Sequence, residues 1–153
     1  MKFENIRTAK INDLDTIAEF NYKMALETEN KILDMTVLRK GVESILLDPG
    51  KGTYFVYEHD NEIKGQLMIT REWSDWRNGY FWWIQSVYVN KNHRGNNIFK
   101  CLYNYVRKLS EDDADSAGLR LYVEKENIKA QSVYTKMGME KTDYLIYESD
   151  YSK

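Results

Sequence analysis

YFWWIQSVYVNKNHRGNNIFKCLYNYVRKL, residues 80–109, carries the reading that decides the fold. Eight of its first ten residues are apolar, aromatic or β-branched, which predicts a buried strand. A polar turn holding His93, Arg94, Gly95, Asn96 and Asn97 interrupts it. Ile98, Leu102, Tyr105, Val106 and Leu109 then recur on one face at helical spacing. A strand running through a basic, glycine-containing turn into a helix N-terminus is an arrangement that binds phosphate. The first N–H groups of a helix lack internal partners, and the macrodipole favours an anion there. Arg94 adds a charge-assisted contact that can be bidentate.

Outward from that segment, the pattern predicts a strand at Phe3 to Thr8 and a helix capped by Asn12. The inward face of that helix is Leu14, Ile17, Ala18, Asn21 and Ala25. A polar loop, Glu27-Thr28-Glu29-Asn30, ends it. Thr36 is read as the cap of a second helix, with Leu38, Val42, Ile45 and Leu46 inward and Asp48-Pro49-Gly50 as its stop. Strands at Thr53 to Glu58 and Glu62 to Arg71 flank an Asp60-Asn61 hairpin turn. Beyond the acidic loop Glu111 to Ser116, Gly118 to Glu124 reads as a strand. Asn127 caps a short helix grouping Ala130, Val133, Tyr134 and Met137, with Gly138 at its C′ position. Asp143 to Glu148 closes the chain as a strand. The expected class is α/β with a mixed sheet, in the order β-α-α-β-β-β-α-β-α-β. Ligands in such sheets favour the carboxyl ends of strands.

The 153 residues are expected to form a single domain with a real core. With 22 Lys+Arg against 24 Asp+Glu, the charge balance argues against a general binder of nucleic acid or membrane surfaces. No apolar run reaches the roughly 20 residues of a membrane span, and MKFENIRTAK lacks the apolar core of a signal peptide. The one cysteine, Cys101, cannot close an internal disulfide, so a reducing cytoplasm is the simplest compartment. Cys101 reads as a structural thiol beside Leu102. His59 and His93 stand without the spacing of a metal site, so no metal is expected. Trp73 and Trp76 flank the polar turn WSDWRNGY, where full burial is hard. They are candidates for an acceptor pocket or a homodimer contact, set against ordinary hairpin packing.

The element order, the segment VYVNKNHRGNNIFKCLY (87–103) and the segment LYVEKENIKAQSVYTKMGME (121–140) together resemble the GNAT superfamily of acetyl-CoA-dependent N-acetyltransferases. The likeness spans essentially the whole chain. The pyrophosphate loop of that family has the form Arg/Gln-x-x-Gly-x-Gly/Ala. Arg94 fills its first place, Asn97 stands at the middle glycine and Phe99 at the last. Asparagine tolerates left-handed geometry best after glycine, so Asn97 is a mild replacement. Phe99 must direct its ring away from the phosphates.

The resemblance implies acetyl-CoA as co-substrate, with Arg94, Gly95, Asn96, Asn97, Ile98, Phe99 and Lys100 at the pyrophosphate. It also implies Val87, Tyr88 and Val89 along the pantetheine arm, held as an added strand would be. Asn127 matches an asparagine that contacts the cofactor, and Tyr134 the tyrosine that acts as general acid. The implied reaction is direct acetyl transfer to a primary amine of a small molecule or peptide. An alkyl amine with a pKa of about 10.4 must first lose a proton. Main-chain N–H groups near Val87 to Val89 would stabilise the developing oxyanion. Gln85 stands where some relatives carry an acid and cannot serve as a base. Glu72 is the first candidate for that role. Asp75, Glu27, Glu29 and a water chain are the others. The alternative is a catalytically silent CoA-binding regulatory or interaction module.

Overall fold

The computed structural model describes residues 2–152. They run β1 (Ile6–Thr8), α1 (Leu14–Glu29), α2 (Met35–Leu47), β2 (Thr53–His59), β3 (Glu62–Ser74), β4 (Gly79–Val89), α3 (Ile98–Asp112), β5 (Ser116–Arg120) and α4 (Ile128–Lys136). The chain divides into two compact units, Met1–Leu121 and Tyr122–Lys153.

In the first unit the five strands lie in the order β1-β2-β3-β4-β5. Neighbours from β1 to β4 are antiparallel, and β4 pairs with β5 in parallel. That is the mixed sheet expected from the pattern. The β2–β3 turn falls on Asp60 and Asn61, at φ 53° and 59°, the left-handed pair that a two-residue hairpin needs. The inward residues of α1, Ile17, Ala18, Phe20, Asn21 and Ala25, are buried, and so is Val42 of α2. Ile17, Val42, Tyr54, Val56 and Met68 form one cluster between those helices and the sheet. Ile98, Leu102 and Val106 bury the matching stripe of α3. Gly65 permits the close seat of that helix: a Cβ there would lie 2.9 Å from Ile98 Cγ2 and 3.2 Å from the Tyr88 carbonyl.

Asn12 lies in a 3₁₀ turn, Ile11–Asp13, ahead of α1. There Asp13 takes a bidentate bond from Arg7 at 2.7 and 3.0 Å, and the Lys10 N–H at 2.7 Å. The cap of α2 is Asp34 in place of Thr36; its Oδ1 accepts the N–H groups of Thr36 and Val37 at 2.8 and 3.3 Å. A carboxylate at the helix entrance outcompetes a hydroxyl two residues inside it. The penultimate strand spans Ser116–Arg120, so the expected Gly118 to Glu124 is corrected at both ends.

In the second unit α4 behaves as the pattern predicts. Asn127 accepts the Ala130 N–H at 3.2 Å. At the other end Met139 N–H bonds Tyr134 C=O at 3.1 Å and Gly138 N–H bonds Thr135 C=O at 3.0 Å, with Gly138 at φ 89°. That is a Schellman closure around a left-handed glycine. The closing strand expected at Asp143 to Glu148 is not a strand among the described residues. Tyr144, Leu145, Ile146 and Tyr147 are all exposed. Strand propensity needs a ladder and a buried face to be realised, and this stretch has neither.

Candidate functional site

The candidate site is built on β4 and the loop leading to α3. Residues Tyr80 to Trp83 of β4 pair with Ser116 to Arg120 of β5, and the ladder ends at Trp83↔Arg120. β4 continues to Val89. From Ile84 onward its β5-side edge therefore has no strand partner among the described residues. On its other side, Gln66 pairs with Tyr88 while Met68 pairs with Gln85, so two residues of β4, Ser86 and Val87, face the single Leu67. This is a β-bulge, and it turns main-chain groups out of the ladder. Ser86 sits at φ 49°. A side chain in left-handed geometry costs about 1–2 kcal/mol.

After β4, the Asn90 side chain accepts the Asn92 N–H at 3.2 Å and organises a short 3₁₀ turn, Lys91–His93. Gly95 follows at φ 85°, and a Cβ added there would meet nothing within 4 Å. Asn97 follows at φ 59°. The first bond of α3 is Cys101 N–H to Asn97 C=O at 2.9 Å, so the N–H groups of the first turn precede the helical ladder. Asparagine thus occupies the left-handed position that glycine would fill. The Phe99 ring lies beside Tyr103, 6.2 Å between centroids.

The Arg94 side chain is engaged within the protein. Nε donates to the Val89 carbonyl at 2.9 Å and Nη2 to Glu27 Oε2 at 2.7 Å, and the guanidinium lies 5.4 Å from the Tyr88 ring centre. Glu27 also accepts the Tyr88 hydroxyl at 3.1 Å and faces Lys91 Nζ at 3.5 Å. Burial pushes the Glu27 carboxyl up, but the Arg94 and Tyr88 bonds outweigh it and hold it below the usual carboxylate range. A carboxylate so stabilised is a poor proton acceptor.

Glu72, the first candidate base, stands opposite Phe81 and pairs with Arg120 at 3.0 Å. Phe81 is five residues from Ser86 along β4, about 16 Å. The structure therefore does not bring Glu72 to the bulge. Gln85 donates to Thr70 Oγ1 at 2.6 Å. In the second unit Tyr134 is half-buried, and burial raises its phenol above the ordinary value, so it remains protonated at neutral pH.

Sequence reasoning missed a polar network beneath the bulge. Gln66 of β3, Asn21 of α1 and Tyr54 of β2 are 0, 5 and 3% exposed. The available signal was polarity at positions whose neighbours are all core: Gln66 inside GQLMIT, and Asn21 on the apolar face of α1.

Comparison with known proteins places this geometry. The acetyltransferase (GNAT) family model matches residues 13–139. A possible acetyltransferase from Clostridium difficile 630 superposes with a TM-score of 0.92 at 52% identity, over 97% of each chain. A predicted acetyltransferase with acetyl-CoA from Clostridium acetobutylicum gives 0.77 at 17% identity, over 95% of each chain. A ribosomal-protein-alanine N-acetyltransferase from Brucella melitensis biovar Abortus 2308 gives 0.76 at 16%, over 96% of this chain and 98% of the other. The last two likenesses speak to the fold alone. No curated protein matches the chain. The family match and the 52% identical structure agree with the sheet and loop described above: the chain belongs to the GNAT acetyltransferase family and is an acyltransferase.

Proposed function

We propose that residues 1–153 act as one N-acetyltransferase domain that moves an acetyl group from acetyl-CoA directly to a primary amine of a small molecule or peptide. The observation that carries this reading is a single continuous unit. A strand edge loses its partner at Trp83, a bulge follows at Ser86, and the left-handed Gly95 and Asn97 then open α3. An extended arm can pair with the open edge as a strand would. A diphosphate suits the first turn of α3, where helix dipole and N–H groups converge. The residues fit the co-substrate, since Gly95 leaves space on its outer side and Phe99 is directed to Tyr103. The family match also runs across the boundary between the two compact units, which supports treating them as one domain.

In this reading Val87, Tyr88 and Val89 line the pantetheine arm, and Arg94 to Lys100 hold the diphosphate. Main-chain N–H groups at the bulge stabilise the developing oxyanion. Asn127 contacts the co-substrate while capping α4. Tyr134 donates its phenolic proton to the departing thiolate. The amine gives its proton to water, since Glu72 is paired with Arg120 and stands away from the bulge. No described helix is long and apolar enough to cross a membrane. The lone cysteine suits a reducing compartment, which supports a cytoplasmic enzyme.

The test is thiol release from acetyl-CoA across four amine classes: a polyamine, an amino-acid amide, an aminoglycoside and an alanyl peptide. Acetylation of one class, with one thiol released per amine consumed, is expected. Co-substrate binding without thiol release on any amine would instead mark a silent CoA-binding module.

A further inference from the structure

Gln66 is an expensive residue for its place. It is fully buried, and its Oε1 has no hydrogen-bond partner. A buried acceptor left unbonded loses its hydration without return, so as core filler a methionine or leucine would serve better. What a methionine lacks is the amide N–H₂. Nε2 of Gln66 donates to Asn21 Oδ1 at 2.7 Å and to the Ser86 main-chain carbonyl at 3.1 Å. Asn21 Nδ2 donates in turn to the Tyr54 hydroxyl at 3.0 Å. Side chains from β3, α1 and β2 thus form a chain that ends on one residue of β4, and that residue carries the left-handed φ of the bulge. Strained backbone of this kind persists where its surroundings over-determine it.

We infer that Gln66 is a positioning residue. Through its bond to the Ser86 carbonyl, backed by Asn21 and Tyr54, it fixes the bulge so that the main-chain donors at Val87 face the reacting carbonyl. The inference rests on the acetyl-transfer reading above and deepens it. Gln66 touches neither substrate nor reacting atoms, so its loss should appear in turnover and not in affinity. A small displacement of oriented groups suffices to slow a reaction by about 10²-fold.

The experiment compares Gln66→Met in two backgrounds, the parent protein and Ser86→Gly. Glycine adopts left-handed geometry without strain, so it relieves the bulge of its need for the network. In the parent background, Gln66→Met is expected to lower kcat about 10–100-fold. The KM for acetyl-CoA and the calorimetric Kd for CoA should stay within about twofold, and the melting temperature should be unchanged or raised. In the Ser86→Gly background the same substitution is expected to lower kcat less than about threefold, the non-additivity of residues acting on one element.

An unchanged kcat for Gln66→Met, while the parent binds CoA and turns over, overturns the inference alone. So does an equal loss in both backgrounds together with a lower melting temperature, which would mark a packing defect. Failure of the parent to bind CoA or to release thiol overturns the acetyl-transfer reading, and the positioning role with it.

Discussion

Arg94 donates to Glu27 at 2.7 Å, across sixty-seven residues of sequence, tying the loop before α3 to the last turns of α1. The arginine proposed to meet a diphosphate is therefore already satisfied by a carboxylate. An incoming diphosphate must displace Glu27 or share the guanidinium with it. Partly exposed pairs of this kind are worth about 0.2–1 kcal/mol, so the competition is worth up to about fivefold in affinity.

Two substitutions at this pair should therefore move affinity in opposite directions. Glu27→Gln is expected to tighten CoA binding about two- to fivefold, since it releases Arg94 and removes a negative charge from the site. Arg94→Ala is expected to weaken it about tenfold or more, the loss of a charge-assisted contact worth ~1.5–3 kcal/mol. Titration calorimetry on both variants decides this. Weaker binding by Glu27→Gln would show that the carboxylate orders the loop for the ligand.

Tyr134→Phe removes the proposed proton donor and keeps the ring. Turnover is expected to fall about 10²–10⁴-fold with CoA affinity nearly unchanged. Burial raises the phenol, so its loss of a proton lies above the ordinary value of about 10. Any alkaline decline in kcat set by Tyr134 must therefore be centred above that ordinary value. A decline centred near pH 8 in the kcat profile would assign that limb to another group.

Gly65 sits where β3, β4 and the first residue of α3 meet. Gly65→Ala puts a methyl 2.9 Å from Ile98 Cγ2, the methyl of a β-branched side chain with little room to yield. A destabilisation of about 1–3 kcal/mol is expected, the ordinary cost of overpacking. The melting temperature should then fall by roughly 2–10 °C for a chain of this size. The start of α3 should shift with it and weaken CoA binding. Undisturbed melting and affinity would mean that the helix start is not seated by this contact.

Asp13 links the 3₁₀ turn before α1 to Arg7 of β1. Burial raises its carboxyl, yet the bonds from Arg7 and Lys10 outweigh this and leave it below the usual value. A folded-state pKa below the unfolded one contributes stability above the unfolded value of about 3.9. That stability is lost as pH falls through the folded value. Asp13→Asn should therefore melt lower than the parent at pH 7, and the gap should narrow as pH falls below the ordinary carboxylate value. A gap that persists in acid would assign the loss to packing.

How far the sequence speaks differs from element to element. The α3 stripe and the Asp60-Asn61 turn were legible because each rests on contacts a few residues apart. The Asn127 and Gly138 ends of α4 were legible for the same reason. Asp34 displaced Thr36 as a cap because both are good caps and only the geometry chooses. The strand expected at Asp143 to Glu148 shows the limit of local pattern, since a strand exists only with a neighbour. In the site, Arg94 and Asn97 were visible as loop residues. The hold of Glu27 on Arg94, the bulge at Ser86 and the Gln66 network were not. Each joins residues twenty to sixty-seven positions apart, a separation that no window of sequence periodicity reports.

The central claim is that the open edge of β4 and the first turn of α3 receive acetyl-CoA. Titration of the purified protein with acetyl-CoA in a calorimeter tests it most directly. One site per chain with a micromolar Kd is predicted, with a melting temperature that rises with ligand concentration as native-state binding requires. No heat and no thermal shift at millimolar acetyl-CoA would contradict it.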